Sequence, residues 1–144
     1  MSDTAISAQV LAEHEILMHV INALRTVLDW QDRDYDLSRK LSSLRFATQS
    51  FQRHLERLVS LEEHDGYMQW IRQSRPDLEE EVKKLHEDHE ELRGTLNEVV
   101  HRLEMLAPTD HAAYAAVSDE LTKFLLNVER HGNQETQLLQ KALL

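Results

Sequence analysis

Near the C-terminus, His131 and Glu135 stand four residues apart in Val128-Glu-Arg-His131-Gly-Asn-Gln-Glu135. On a helix this spacing puts both side chains on one face, a turn apart. The apolar seam of the segment runs through Tyr114, Val117, Leu121, Phe124 and Val128, then through His131, Glu135 and Leu138. Two good metal donors therefore occupy places where a bundle normally puts Leu or Val. An unpaired carboxylate is costly to bury, so partners are implied. Imidazole and carboxylate together suit iron, manganese or zinc better than Cu(I) or calcium.

Other histidines pass the same test of apolar neighbours three and four residues away. His14 has Val10, Leu11, Leu17 and Met18; His89 has Leu85 and Leu92. His54 is intermediate, with Phe51, Leu58 and Leu61 on its side. His86, one turn before His89, reads as a support behind the ligands or as exposed, with exposure favoured; His101 reads as solvated, and His19, His64 and His111 as peripheral. A single core histidine is usually a satisfied structural residue. Several on one level beside a carboxylate argue for ligation, since no ordinary core gains from a layer of imidazoles.

The elements that must position these residues are helical. Of 144 residues only three are Gly and two Pro, and no segment alternates with period two. Amphipathic segments run from about Thr4 to Trp30 and from about Leu37 to His64. A short helical turn from Tyr67 to Arg75 carries Trp70 and Ile71. Ser74-Arg-Pro76-Asp-Leu-Glu79 is a start signal, with proline near the first helical position and acids in the first turn. It opens a third long helix to about Leu106, and a fourth runs from about Asp110 to Leu143. The breaks are Asp32 to Asp36, Asp65-Gly66, and Ala107 to Asp110. Short connections between long helices imply an all-α, up-down-up-down four-helix bundle, one domain over residues 1–144.

In such a bundle, antiparallel neighbours lie level when the midpoint of their numbers falls in the connecting loop. The pairs His14 and His54, His54 and His89, and His89 and His131 all satisfy this. The halves also resemble each other: Leu11-Ala-Glu-His14-Glu15 matches His86-Glu-Asp-His89-Glu90, and Phe51-Gln-Arg-His54 resembles Val128-Glu-Arg-His131. A repeated helix pair suits two metals side by side.

These residues resemble the hemerythrin-like family of HHE cation-binding domains. Its pattern is a His on the first helix, His-x3-Glu on the second, a His on the third and His-x3-Glu on the fourth. The resemblance covers nearly the whole chain and implies a bundle holding a non-heme di-iron centre bridged by carboxylates. His14, His89 and His131 with Glu135 fit it. The second helix departs from it. With His54 as ligand, Leu58 stands where Glu belongs; with Glu62 as ligand, Leu58 stands where His belongs. Level midpoints favour His54. The lean of helical side chains toward the N-terminus favours Glu62, as does the likeness of Glu62-Glu63-His-Asp-Gly66-Tyr67 to relatives whose second helix ends in Glu-Glu-x-x-Gly-Tyr. The two lie about 12 Å apart along the axis at ~1.5 Å per residue, so both cannot ligate conventionally. Either way one family ligand is missing.

The resemblance implies two iron ions, with one, or manganese or zinc, left open, and O2, NO or peroxide as the ligand. Phe51, Phe124 and Leu58 would wall a dry pocket, or simply pack the core. A peroxidase- or oxidase-like di-iron enzyme is the alternative. A metal-free interaction module using His101-Arg102 is a third reading. Net charge is −10, with no basic face for nucleic acid. The absence of cysteine excludes disulfides and thiolate sites. The Met1-Ser-Asp-Thr start lacks a leader pattern and no apolar run approaches a membrane span, so a cytoplasmic protein without a membrane partner is expected.

Overall fold

The computed structural model describes residues 3–29, 37–64 and 67–143. Four long helices account for most of it. Helix α1 covers Asp3–Asp29 and α2 covers Ser38–His64. A short α3 (Tyr67–Ser74) and a 3-10 turn (Pro76–Leu78) lead into α4, Glu79–Met105. Helix α5 covers His111–Leu143. The expected segments agree with these bounds to within a few residues. Trp30, the Asp32 to Asp36 break and Asp65-Gly66 lie outside the described residues. No strand occurs among the described residues.

Local chemistry sets the helix ends. Pro76 begins the 3-10 turn, and Glu79, Glu80 and Glu81 fill the first turn of α4, where a negative charge faces the positive end of the helix dipole. Asp110 Oδ1 accepts from Ala113 N at 3.0 Å, capping the start of α5. The carbonyls at the end of α4 are taken by Arg45, whose Nε donates to Leu103 O at 2.8 Å and whose Nη2 donates to Leu106 O at 2.9 Å. Arg75 clamps Asp77 through two nitrogens and donates from Nη1 to Lys141 O at 3.0 Å.

The same contacts show how the long helices lie. The start of α2 meets the end of α4 through Arg45 and through Leu37 N to Pro108 O at 3.2 Å. Arg102 on α4 pairs with Glu120 on α5, and Glu81 with Lys141. Arg25 on α1 pairs with Glu129 on α5. The shared core includes Ile21, Leu24, Leu41, Leu44, Leu121 and Leu125, all fully buried. Phe51 and Phe124 meet edge to face there, with centroids 6.0 Å apart at 88°. They are core residues. Of the three expected wall residues, Leu58 lies against the cavity beside the polar cluster described next, and Phe51 and Phe124 do not.

Candidate metal centre

Each long helix turns one or two polar side chains inward at one level. Glu62, His89, His131 and Glu135 are buried, and His14 is half-buried. One donor atom each from Glu62, His89, His131 and Glu135 can be chosen so that all lie within 4.8 Å of one another. The expected set of His14, Glu62, His89, His131 and Glu135 is therefore brought together. His54 is not. It sits two turns earlier on α2, half-buried, its Nδ1 enclosed without a hydrogen-bond partner. Loop midpoints place His54 level with His14 and His89, and in the folded chain Glu62 takes that level instead. The register with Glu62 inside and Leu58 a turn before it is the one the bundle adopts.

The carboxylates lie between the imidazoles. Glu62 Oε1 is 3.3 Å from His14 Nε2, and its Oε2 is 3.2 Å from His89 Nε2. Glu135 Oε2 is 3.4 Å from His14 Nε2, and its Oε1 is 3.3 Å from His89 Nε2 and abuts His131 Nε2. Each carboxylate thus gives one oxygen to the His14 side and the other to the His89 side. The His89 and His131 rings stand 4.6 Å apart at 66°.

Tyr67 and Glu63 support the cluster directly. Tyr67, at the start of α3, donates from its hydroxyl to Glu135 Oε2 at 2.7 Å and lies 3.3 Å from Glu62 Oε2. Glu63 Oε1 takes His89 Nδ1 at 2.9 Å and His86 Nδ1 at 2.9 Å. This holds the His89 ring with Nε2 toward the cluster, the usual arrangement behind a metal-binding imidazole. His86 is exposed, as expected, yet it also belongs to this supporting chain. Asp88 Oδ2 lies 3.6 Å from His131 Nδ1, too far for a hydrogen bond. Sequence reasoning singled out none of Tyr67, Glu63 and Asp88 as site residues; the Glu-Glu-x-x-Gly-Tyr ending was the one available signal for Tyr67.

Electrostatics follow from this crowding. Burial disfavours a charged His14, but Glu135 and Glu62 outweigh it and push the imidazole up to about 10. His89 is pushed up to about 10 by the same balance. Burial, with the charge of Glu135 beside it, raises Glu62. Burial also works against a charged Glu135, yet three imidazoles hold it well below the usual carboxylate range. Burial and the two carboxylates raise Tyr67 far above its ordinary value. The phenol stays protonated and remains a donor.

The residues fit a cation. His131 Nδ1 is buried without a hydrogen bond, and Glu62 Oε1 and His131 Nε2, although they face His14 and Glu135, make no hydrogen bond of good geometry. Buried polar groups rarely stay unpaired unless something else satisfies them. Inward imidazoles and carboxylates on facing helices are also how bundles build such sites.

Two outcomes are expected. Removing the Tyr67 hydroxyl (Tyr67→Phe) takes a hydrogen bond to charged, buried carboxylates away and costs roughly 1–3 kcal/mol, read by urea denaturation of the metal-free protein. Glu63→Ala frees the His89 ring and weakens metal affinity about 10–100-fold in a chelator competition. An unchanged affinity would show that Glu63 does not orient His89.

An all-helical scaffold turning imidazoles and carboxylates onto one buried point defines a helical cation-binding domain. Residues 5–143 match the model of the Hemerythrin HHE cation binding domain, and the chain belongs to that family. No curated protein and no solved structure matches it.

Proposed function

We propose that this is a non-heme iron protein whose centre holds two metal ions and binds O2 or a related small molecule, NO or peroxide. The observation that carries this reading is the placing of the two carboxylates. Glu62 and Glu135 each turn one oxygen toward His14 and the other toward His89. Two carboxylates so placed would each serve both positions of a two-metal centre. One position would be held by His14 with Glu62 Oε1 and Glu135 Oε2. The other would be held by His89 and His131 with Glu62 Oε2 and Glu135 Oε1. Glu63 orients His89, and Tyr67 fixes the carboxylates by hydrogen bonding.

The two positions are unequal. Leu58 stands on α2 where the family pattern has a histidine, is buried, and borders a cavity that reaches the donor set. The His14 position therefore has a single imidazole and room for an external ligand. Bound iron would supply reversible binding or reduction of such a ligand. Leu58 and its neighbours Leu17, Leu55 and Val128 give that side apolar walls.

The scaffold is an up-down-up-down bundle acting as one domain. In support, the paired residues of α2 and α4, of α4 and α5, and of α5 and α1 run in opposite directions along the two helices. A cytoplasmic location fits the composition, and among the described residues no helix is long and apolar enough to cross a membrane.

Elemental analysis of protein purified from iron-fed cells tests the reading. Two iron ions per chain are expected, with an absorption band that changes on adding azide or peroxide. Protein free of metal under those conditions would overturn it. Steady consumption of peroxide, as opposed to stoichiometric binding, would identify an enzyme on the same scaffold.

A further inference from the structure

Beside the donor set, bounded by α1, α2, α4 and α5, lies a cavity of about 480 Å³. A diatomic or peroxide is comparable in size to water, which claims about 30 Å³ in the liquid. The cavity instead falls in the range of about 300–1,000 Å³ that holds small organic ligands. Its walls include Leu17, Leu55, Leu58 and Val128, and its inner end is the cluster of His14, Glu62, His131 and Glu135. Its lining continues to Leu11, Met18 and Leu143, which are 61 %, 42 % and 62 % exposed. The other acid on the lining, Glu129, is paired with Arg25.

Gly132 borders the same open space. It follows His131 inside α5. Glycine is the poorest helix former after proline, so the position sacrifices helix stability. A Cβ built there meets no heavy atom within 4 Å. Packing therefore does not require the bare backbone, and any side chain at this position would take up space beside His131.

We infer that the cavity binds an unbranched aliphatic monocarboxylate. Apolar walls demand a hydrocarbon body, and the donor set at the inner end calls for a single oxygen-donor head. The chain lies against Leu17, Leu55, Leu58 and Val128 and leaves past Gly132 toward the apolar rim. Placement of the head rests on the metal centre proposed above; placement of the hydrocarbon does not.

The test is a calorimetric titration of the protein as purified with n-alkanoates from acetate to decanoate, with metal content measured on the same samples. Affinity is expected to rise about fourfold per added methylene in the middle of the series. Gly132→Leu, which fills the open space, and Met18→Trp, at the rim, are each expected to flatten that rise while the helical circular dichroism is retained. Affinity independent of chain length, or a rise that survives both substitutions, would overturn the inference. So would sedimentation showing a dimer that excludes the alkanoates, which would mean a second copy covers the rim. Metal present without chain-length dependence sinks the inference alone. Chain-length dependence without metal supports the hydrocarbon site and sinks the proposed iron centre.

Discussion

Replacing Glu135 with alanine is expected to abolish the metal centre. This carboxylate touches all three imidazoles and the phenol: His131 and His89 on one oxygen, His14 and Tyr67 on the other. In the proposed centre it serves both metal positions. Groups that merely support ligands cost about 10–100-fold in affinity when removed, so loss of a shared ligand should cost on the order of a hundredfold or more. The metal-free fold suffers as well. Breaking a buried ion pair by removing one partner costs about 3–5 kcal/mol, because the remaining charge is left uncompensated. Here the imidazoles of His14 and His89 would share Glu62, with Glu63 still behind His89. Competition against a chelator measures the first effect, and urea denaturation of the metal-free variant measures the second. Metal affinity within a few-fold of the parent would rule out Glu135 as a shared ligand.

The second large effect is on pH dependence. Burial by itself favours neutral imidazoles, but Glu135 and Glu62 override it and hold His14 and His89 near 10, above their ordinary 6.5. The folded metal-free protein therefore binds these protons more tightly than the unfolded chain. That contribution to stability is present in full below about pH 6.5 and is lost as pH rises toward 10. The metal-free protein should melt at progressively lower temperature between pH 7 and 10, and the fall should be shallower in His89→Gln. A flat or rising Tm would contradict this. Coordination requires neutral imidazoles, so loading at pH 7 to 8 should release about two protons, one from each. Calorimetry in buffers of differing ionisation enthalpy counts them.

Helices and most of the inward donors were legible in the sequence because their cause is periodic. His14, His89, His131 and Glu135 interrupt apolar seams at helical spacing, and a seam position faces the core wherever its helix packs. The choice on α2 was harder. Matching levels by loop midpoints treats each connection as a symmetric hairpin. The passage from α2 to α4 instead carries α3 and a 3-10 turn. Side chains also lean toward the helix N-terminus, which brings Glu62 back to the level of position 58 and takes His54 away from it. Tyr67 could not be placed by period at all. It enters the site from a connection, where no repeat says which way a side chain points. Glu63 follows Glu62 by one residue and so faces about 100° away from it on α2. Only the position of α4 shows that this direction leads to His86 and His89.

The donors come from all four long helices, one or two from each, and this ties the supply of metal to the survival of the chain. No pair of helices holds the whole set, so a cation that occupies it grips only the assembled fold. A ligand present at a hundred times its dissociation constant adds about 2.7 kcal/mol to folding stability, a sizeable share of what a small domain has. When the free cation falls below that dissociation constant, the gain disappears and the opened fraction available to proteases grows. The amount of this protein in a cell would then track the availability of its metal without any change in synthesis.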